Sequence, residues 1–215
     1  MALALFDLDN TLLNGDSDHS WGLFLANVGA VDPVEHTQKQ DYFYQQYIDG
    51  ELNIEEFCEF QFRALTQYPL AQLHEWRHEF MQTIIEPMIE GGKPDLLEKH
   101  RAAGDELVII TATSDFVTLP IAERLKVPTL IATRAEQSNG VYTGKVAGTP
   151  CFQDGKVTRL LEWLEENDSS LENSVFYSDS INDLPLLERV DQAIAVTPDK
   201  RLRAHAEKLH WQIID

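Results

Sequence analysis

The chain has 215 residues, 43% of them apolar and 25% charged, which is ordinary for a globular protein with a hydrophobic core. These proportions argue against a disordered, collagen-like or coiled-coil chain. Lys and Arg number 17 against 36 Asp and Glu, a formal net charge of -19, so nucleic acid is an unsuitable partner. An anionic ligand would therefore need positive charge concentrated at its binding site.

The first predicted element is a buried parallel strand at Ala2–Phe6, an apolar run that ends at Asp7. Residues 15–86 then show helical patterning with almost no strand signal, interrupted by proline and glycine. The pattern predicts four helices, Ser20–Val28, Val34–Ile48, Ile54–Leu65 and Leu70–Ile85, with Ser17, Asp32 and Asn53 as N-cap residues.

Strands and helices alternate in the second half of the chain, after Gly91-Gly92-Lys93-Pro94. The predicted helices there are Asp95–Ala103, Phe116–Leu125, Lys156–Glu166 and Asp183–Val190. The predicted strands are Leu107–Ile110, Thr129–Thr133, Val175–Tyr177 and Ala193–Val196. Asn139-Gly140 between the second and third of these strands predicts a β-hairpin.

This alternation predicts an α/β fold with a doubly wound, Rossmann-like parallel sheet. The helical block interrupts the sheet after its first strand and is expected to form an inserted all-helical cap domain. The core domain would comprise residues 1–14 and 87–215, and the cap domain residues 15–86. Hinges between them are expected at Leu13-Asn14-Gly15 and at Pro87–Gly92.

Cys58 and Cys151 lie far apart without a CxxC spacing, so neither a disulfide framework nor a zinc site is indicated. The N-terminal sequence has no basic leader and reaches a carboxylate by its seventh residue, unlike a secretory signal. No apolar run approaches the roughly 18 residues that a membrane-spanning helix needs. We expect a soluble cytoplasmic protein without a membrane partner.

Polar side chains follow several predicted strands at their carboxyl ends, where open α/β sheets bind ligands. The first strand leads into Asp7-Leu8-Asp9-Asn10-Thr11, the second into Thr111, and the strand at Val175–Tyr177 into Ser178 to Asp183. Lys156 opens a predicted helix nearby, whereas Lys145, the competing lysine, lies in the predicted hairpin.

Each of these features alone is also what a turn, a helix cap or a solvated lysine would show. Together they supply two carboxylate pairs, a hydroxyl and a cation at one edge of one sheet. Carboxylate oxygens suit Mg²⁺, and a hydroxyl and an ammonium group can hold phosphoryl oxygens. The set therefore indicates phosphoryl transfer, with metal and lysine making a cationic spot in an acidic protein.

In order and spacing, these motifs resemble those of the haloacid-dehalogenase superfamily of phosphohydrolases. The likeness is to the branch with a helical cap after the first motif, which includes phosphoserine and histidinol-phosphate phosphatases. Asp7–Thr11, Thr111, Lys156 and Asp179–Asp183 correspond to the four motifs, and with the cap they cover nearly the whole chain. The resemblance implies Mg²⁺-dependent hydrolysis of a small phosphorylated metabolite through an aspartyl-phosphate.

The resemblance also implies a role for each carboxylate. Asp7 would be the nucleophile, and Asp9 would protonate the leaving alkoxide and then activate water. Mg²⁺ would be held by Asp7, the Asp9 main-chain carbonyl and Asp179, with Asp183 binding directly or through water. Because dehalogenases that displace halide need no proton donor two residues after the nucleophile, Asp9 favours phosphate chemistry.

The other motif residues would bind the substrate. The resemblance implies that Thr111 and Lys156 hold the phosphoryl oxygens, and that Lys156 keeps the nucleophile ionised. We expect further substrate contacts from Thr11, Ala112 and Asn182.

Two positions of the helical block bear on the substrate. Asp16 stands nine residues after the nucleophile, where phosphoserine phosphatases bind the substrate amine, although a helix-capping aspartate is an equal alternative. Gln61 stands where those enzymes place an arginine for the substrate carboxylate, and Arg63 lies roughly 200° further around the helix. An amine without a carboxylate fits histidinol phosphate.

Other functions stay open at this point. A phosphoserine-like metabolite and a phosphatidylglycerophosphate-type lipid are alternative substrates, and the acidic charge disfavours the lipid. A phosphotransferase could use the same intermediate, and a non-catalytic acidic interaction module would need no intact site. Most aromatic residues of the helical block are expected in its core and some in the pocket wall: Tyr42, Phe43, Tyr44, Tyr47, Phe57, Phe60, Phe62, Tyr68 and Trp76.

Overall fold

A computed structural model describes residues 2–215. Its strands are β1 (Leu3–Phe6), β2 (Glu106–Ser114), β3 (Thr129–Thr133), β4 (Ala135–Ser138), β5 (Val141–Val146), β6 (Val175–Ser178), β7 (Gln192–Val196) and β8 (Gln212–Ile214). Six of them form one parallel sheet in the order β3-β2-β1-β6-β7-β8, and β4 and β5 form an antiparallel hairpin. The predicted doubly wound parallel sheet is confirmed.

The helices before β2 are α1 (Ser17–Asn27), α2 (Pro33–Asp49), α3 (Ile54–Gln67), α4 (Leu70–Phe80), α5 (Glu86–Glu90) and α6 (Asp95–Ala103). Those after β2 are α7 (Asp115–Arg124), α8 (Asp154–Glu166), α9 (Leu184–Leu187) and α10 (Lys200–Leu209). A π-helical turn, Met81–Ile85, joins α4 to α5, and a 3₁₀ turn, Ile181–Asp183, precedes α9. Helices α1–α4, called the cap helices below, are inserted between the first two strands as expected.

The sheet is buried on both faces, which explains why its strands read as apolar runs. Alternate residues of β1 enter different cores, because successive side chains of a strand point to opposite faces. Ala4 and Phe6 join a cluster that continues into the cap helices through Trp21. Leu3 and Leu5 join the cluster on the opposite face. The cap helices thus share a continuous apolar core with one face of the sheet.

Several predicted boundaries are wrong. The first cap helix begins at Ser17 and is capped by the Asp16 side chain, so the predicted Ser17 cap is incorrect, whereas Asp32 and Asn53 do cap their helices. The fourth helix ends at Phe80, where the chain widens into the π-helical turn. Helix α10 and the short edge strand β8 were not predicted.

Strand β2 is longer than predicted and extends through Thr111 to Ser114. Its pairing with β3 shifts register between Thr111 and Ser114, so extra residues are accommodated at this point of the strand. Thr111 therefore lies inside the strand rather than beyond its end. The predicted hairpin is present, and both Asn139 and Gly140 have positive φ, as a tight turn between twisted strands requires.

Both cysteines are buried thiols among residues 2–215, and neither is in a disulfide. Within that same part of the chain, none of the helices combines the length and the apolar character needed to cross a lipid bilayer. The cytoplasmic location and the boundaries of the two domains stay predictions.

The two predicted hinge segments lie side by side. The Asn14 amide donates to the Met88 carbonyl at 2.9 Å, and the Lys93 amide donates to the Leu12 carbonyl at 2.9 Å. Gly92 allows this approach, since a Cβ there would lie 2.1 Å from the Leu12 carbonyl oxygen. The paired backbone fixes where the cap helices leave and rejoin the sheet.

Replacing Gly92 with Ala is therefore expected to lower the free energy of unfolding by about 1–3 kcal/mol, as overpacking does. The neighbouring Gly91→Ala variant is the control, because a Cβ at Gly91 would meet the Asn14 side chain at 3.0 Å, and a side chain can move. Chemical denaturation of both variants measures the difference. Equal stability of the two would contradict the close backbone approach.

Candidate active site

The switch in strand order between β1 and β6 positions the first carboxylates. β1 pairs on one side with β2 and on the other with β6, and the Asp7 amide extends this pairing by donating to the Tyr177 carbonyl at 2.9 Å. Asp7 and Asp179 consequently leave adjacent strands at the same edge of the sheet. The Thr11 hydroxyl lies between them, 3.5 Å from an oxygen of each. The structure thus brings together residues 168 positions apart in the chain.

Lys156 reaches this edge from the first turn of α8. Its Nζ lies 2.7 Å from Asp7 Oδ1 and 2.7 Å from Asp183 Oδ2, and its side chain is 3% exposed. The tight turn before the helix requires Gly155, because a Cβ there would lie 2.0 Å from the Pro150 carbonyl oxygen. The Ser178 hydroxyl also donates to Asp183 at 2.7 Å. Lys145 is exposed on the hairpin, so Lys156 is the lysine that the structure places beside these carboxylates.

The carboxylates of this cluster repel one another in a buried place. Burial raises the pKa of Asp7, while the Lys156 ammonium opposes the shift. The pKa of Asp179 is raised well above its usual range by burial and by the charges of Asp7 and Asp183. Burial alone would lower the pKa of Lys156, but the carboxylates of Asp183 and Asp7 outweigh it, so this pKa is raised and the lysine is charged.

Asp9 is held apart from this cluster by two hydrogen bonds. The Ser17 amide at the start of α1 donates to Asp9 Oδ1 at 2.6 Å, and the Thr113 hydroxyl donates to Oδ2 at 2.8 Å. Burial and the nearby Asp16 charge raise the pKa of Asp9 to about 6, and these hydrogen bonds oppose the rise. The contact of Thr113 was not predicted. The only signal for it in the sequence is a second hydroxyl two residues after Thr111.

The remaining predicted residues occupy different places around the cluster. Thr111 is buried beside the cavity, and its hydroxyl accepts the Thr113 amide at 3.2 Å. Ala112 and Asn182 also line the cavity. Thr11 lies among the carboxylates and is not part of the cavity wall formed by residues 2–215.

A cavity of about 590 Å³ separates this edge of the sheet from the cap helices. The cap side of the cavity, called the cap wall below, consists of Asp16, Asp18, His19, Gln40, Phe43, Tyr44, Tyr47, Ile48, Leu52, Ile54, Phe57 and Gln61. Acids, amides and aromatic rings dominate this wall. Lysine and arginine reach the described lining only from the sheet side, at Lys156, Lys200 and Arg201.

The two acids of the cap wall, Asp16 and Asp18, make contacts that differ from those expected from the sequence. The Asp16 carboxylate accepts the His19 amide at 2.8 Å and so caps α1, which is the structural alternative considered for it. Asp18 is the more enclosed acid, 9% exposed, and its Oδ2 accepts the Gln61 side chain at 2.6 Å. This pair joins α1 to α3 and was not predicted. Arg63 faces away as expected, exposed and 3.8 Å from Glu35.

The aromatic residues divide between core and surface. Phe43 and Phe62 are buried as expected, but Tyr42 and Tyr44 are 51% and 58% exposed. The expectation that most of the aromatics form the core is therefore too broad. A helix carrying rings at adjacent positions has to direct some of them away from its buried face.

Tyr47 connects the cap helices to the sheet across the cavity. Its hydroxyl donates to Ser180 Oγ at 2.7 Å, and its carbonyl accepts the Asn182 side chain at 3.2 Å. One residue on, the Ile48 carbonyl accepts Arg201 Nη1 at 3.1 Å. The cap helices are therefore closed onto the sheet edge in this structure.

Comparison with known proteins agrees with this architecture. The sequence profile of haloacid dehalogenase-like hydrolases matches residues 4–188. The chain belongs to the haloacid dehalogenase-like hydrolase family.

A histidinol-phosphatase of Neisseria meningitidis is 40% identical over 99% of this chain and 98% of its own length. A crystal structure of a protein of unknown function from Bordetella pertussis Tohama I has a TM-score of 0.93 and 44% identity, covering 100% of this chain and 98% of that one. A substrate-bound phosphoserine phosphatase has a TM-score of 0.71 at 18% identity, covering 99% and 92% of the two chains, which shows the shared fold.

The predictions that the chain belongs to this family and that it is an enzyme are confirmed, so the alternative of a non-catalytic interaction module is set aside. The protein is a phosphatase of the haloacid dehalogenase-like family.

Proposed function

We propose that this phosphatase hydrolyses a small phosphomonoester, histidinol phosphate, with Mg²⁺ and through an aspartyl-phosphate on Asp7. The observation that carries the proposal is the placement of Asp7 on the cavity floor, 2.7 Å from the Lys156 ammonium. This cation favours the ionised nucleophile and offsets the charge of an incoming phosphoryl group.

In the first step, an Asp7 carboxylate oxygen attacks phosphorus, and the bond from phosphorus to the leaving alkoxide breaks. Asp9 gives its proton to that alkoxide. In the second step, Asp9 takes a proton from water as the water attacks the phosphorus of the aspartyl-phosphate, which releases phosphate and restores the Asp7 carboxylate. Thr113 and Ser17 hold Asp9 in place for both transfers. Thr111 and Lys156 would hold the phosphoryl oxygens.

The donor set fits Mg²⁺. Asp7 and Asp183 both contact the Lys156 ammonium group, and Asp179 adds a third carboxylate, whose pKa is raised by burial and by the charges of Asp7 and Asp183. Side chains alone do not complete the site, since no three His, Cys, Asp or Glu side chains among residues 2–215 are grouped for a metal ion. Asp183 is bound to Lys156 and Ser178.

Asp7, Asp179 and the Asp9 main-chain carbonyl are therefore the proposed direct ligands, with Asp183 binding through water. When bound, Mg²⁺ would neutralise charge developing on the phosphoryl oxygens.

The cap wall favours histidinol phosphate over phosphoserine. A carboxylate on the substrate calls for a cationic partner, and within the described residues the cap wall has neither lysine nor arginine. Gln61, at the position of the expected arginine, is instead paired with Asp18. The relative from Neisseria meningitidis, 40% identical over nearly its whole length, is named for the same substrate.

Phosphate release from a panel of phosphomonoesters tests the proposal. The panel contains histidinol phosphate, phosphoserine and an aryl phosphate, each assayed with Mg²⁺ and after chelation by EDTA. We expect Mg²⁺-dependent release, with kcat/KM for histidinol phosphate at least about tenfold above phosphoserine, a difference of about 1.4 kcal/mol. A preference for phosphoserine would contradict the assigned substrate, and release that survives EDTA would contradict the metal. Phosphoryl transfer to an added alcohol would identify a phosphotransferase.

A further inference from the structure

The cap wall contains a carboxylate that the proposed chemistry does not use. Asp18 lies in the first turn of α1, is 9% exposed and lines the cavity. Gln61 donates to its Oδ2 at 2.6 Å, and no further hydrogen bond to this carboxylate is present among residues 2–215. One oxygen of a nearly enclosed acid is therefore available to a ligand in the cavity.

The orientation of Asp18 is fixed by the packing of α3. Gln61 shares the buried face of this helix with Cys58 and Leu65, at spacings of three and four residues. The amide is therefore held between the two helices. It directs its donor to Asp18 Oδ2 and leaves Oδ1 unpaired.

The surroundings of Asp18 suit a positive charge. Asp16 lies two residues before Asp18, and its charge contributes to the raised pKa of Asp18, about 8, for which burial is the larger cause. Aromatic rings of Phe43 and Phe57 line the same cavity, and ring faces attract cations. A cationic ligand group would relieve the acid repulsion, whereas an anionic group would add to it.

We propose that Asp18, oriented by Gln61, binds a cationic group of the leaving alcohol and thereby selects amine- or imidazole-bearing phosphomonoesters. This inference rests on the proposed phosphatase function and adds a specificity-determining residue to it. It moves the recognition of the cation from Asp16, which caps α1, to Asp18, the more enclosed acid, which Gln61 orients.

The Asp18→Asn variant tests this with little risk to folding. An asparagine oxygen can still accept from Gln61, and the variant replaces an acid whose charged form is disfavoured by burial, so its melting temperature should not fall. Asp41→Asn is the control, since Asp41 is exposed on α2 and its replacement removes the same charge from the same group of helices.

The informative substrates are O-phosphoethanolamine and propyl phosphate, which have the same shape and differ by an ammonium group in place of a methyl group. In Asp18→Asn, the ratio of kcat/KM for the amine over the alkyl ester should fall about tenfold or more, and Asp41→Asn should keep the wild-type ratio. If Asp18 had a purely structural role, the variant would lower kcat/KM equally for both substrates, and that result would overturn the proposal.

Binding separates this inference from the reaction itself. Histidinol, the cationic alcohol, is titrated calorimetrically into wild type, Asp18→Asn and Asp41→Asn. A loss of affinity of about tenfold that is confined to Asp18→Asn supports the cation site, whether or not any panel substrate is turned over. Absence of turnover would count against the proposed function alone. Equal affinity in all three proteins, or no binding to any, would overturn the assignment of Asp18.

Discussion

Replacing Asp7 with Asn is expected to lower Mg²⁺-dependent phosphate release by about 10⁴-fold or more, the scale seen when a covalent nucleophile is removed. The amide has nearly the same shape but no longer supplies a carboxylate oxygen that can attack phosphorus. The variant should still fold, because Lys156 keeps its contact with Asp183 at 2.7 Å. The carboxyl group that the variant removes is also one whose pKa is raised by burial.

Two measurements check this result. Acid quenching during turnover of a ³²P-labelled substrate should trap labelled protein with wild type and none with Asp7→Asn. Asp168→Asn is the matched control, since Asp168 is exposed and its positive φ is one that asparagine also tolerates. Labelled Asp7→Asn protein, or activity within tenfold of wild type, would place the nucleophile elsewhere.

Replacing Lys156 with Met is expected to have two effects of different origin. The variant lacks the Lys156 ammonium group, which is the only buried cation that contacts Asp7 and Asp183 in the described structure. Breaking a buried ion pair in this way lowers the free energy of unfolding by about 3–5 kcal/mol. Loss of a donor to the phosphoryl oxygens should also lower kcat by about 10²–10³-fold.

Lys145→Met is the control for this prediction, because it removes an exposed lysine of the hairpin and should change neither quantity. Urea denaturation in the presence of EDTA measures the stability effect without added metal. Phosphate release at saturating substrate measures the catalytic one. Wild-type activity in Lys156→Met would contradict its proposed role, whatever happened to stability.

The grouping of these acids at one edge of the sheet could be predicted because it depends on local sequence and on one general property of parallel sheets. Asp7 follows an apolar strand, Asp179 follows another, and carboxyl ends of parallel strands lie at one edge. Lys156 was found from its position after Asp154-Gly155. Gly155 is required there for steric reasons that the structure makes explicit.

The contacts that were missed join segments far apart in the chain. Thr113 reaches Asp9 because β2 continues past Thr111 with a shift in register, which no residue pattern indicated. Asp18 and Gln61 are 43 residues apart and meet only because α1 and α3 pack against each other. Helix packing sets such pairs, and it depends on the whole core.

The sequence by itself determined the doubly wound sheet, the helical insertion after its first strand and the identity of the clustered acids and lysine. These follow from hydrophobic periodicity and from residue types at strand ends, which are local properties. Only the tertiary structure decided which side chain each acid contacts. Asp16 and Asp18 both line the cavity, but Asp16 caps its own helix, whereas Asp18 is paired with Gln61 of another helix. Side-chain contacts are set by the burial and packing of several elements at once, and no single segment of the sequence contains that information.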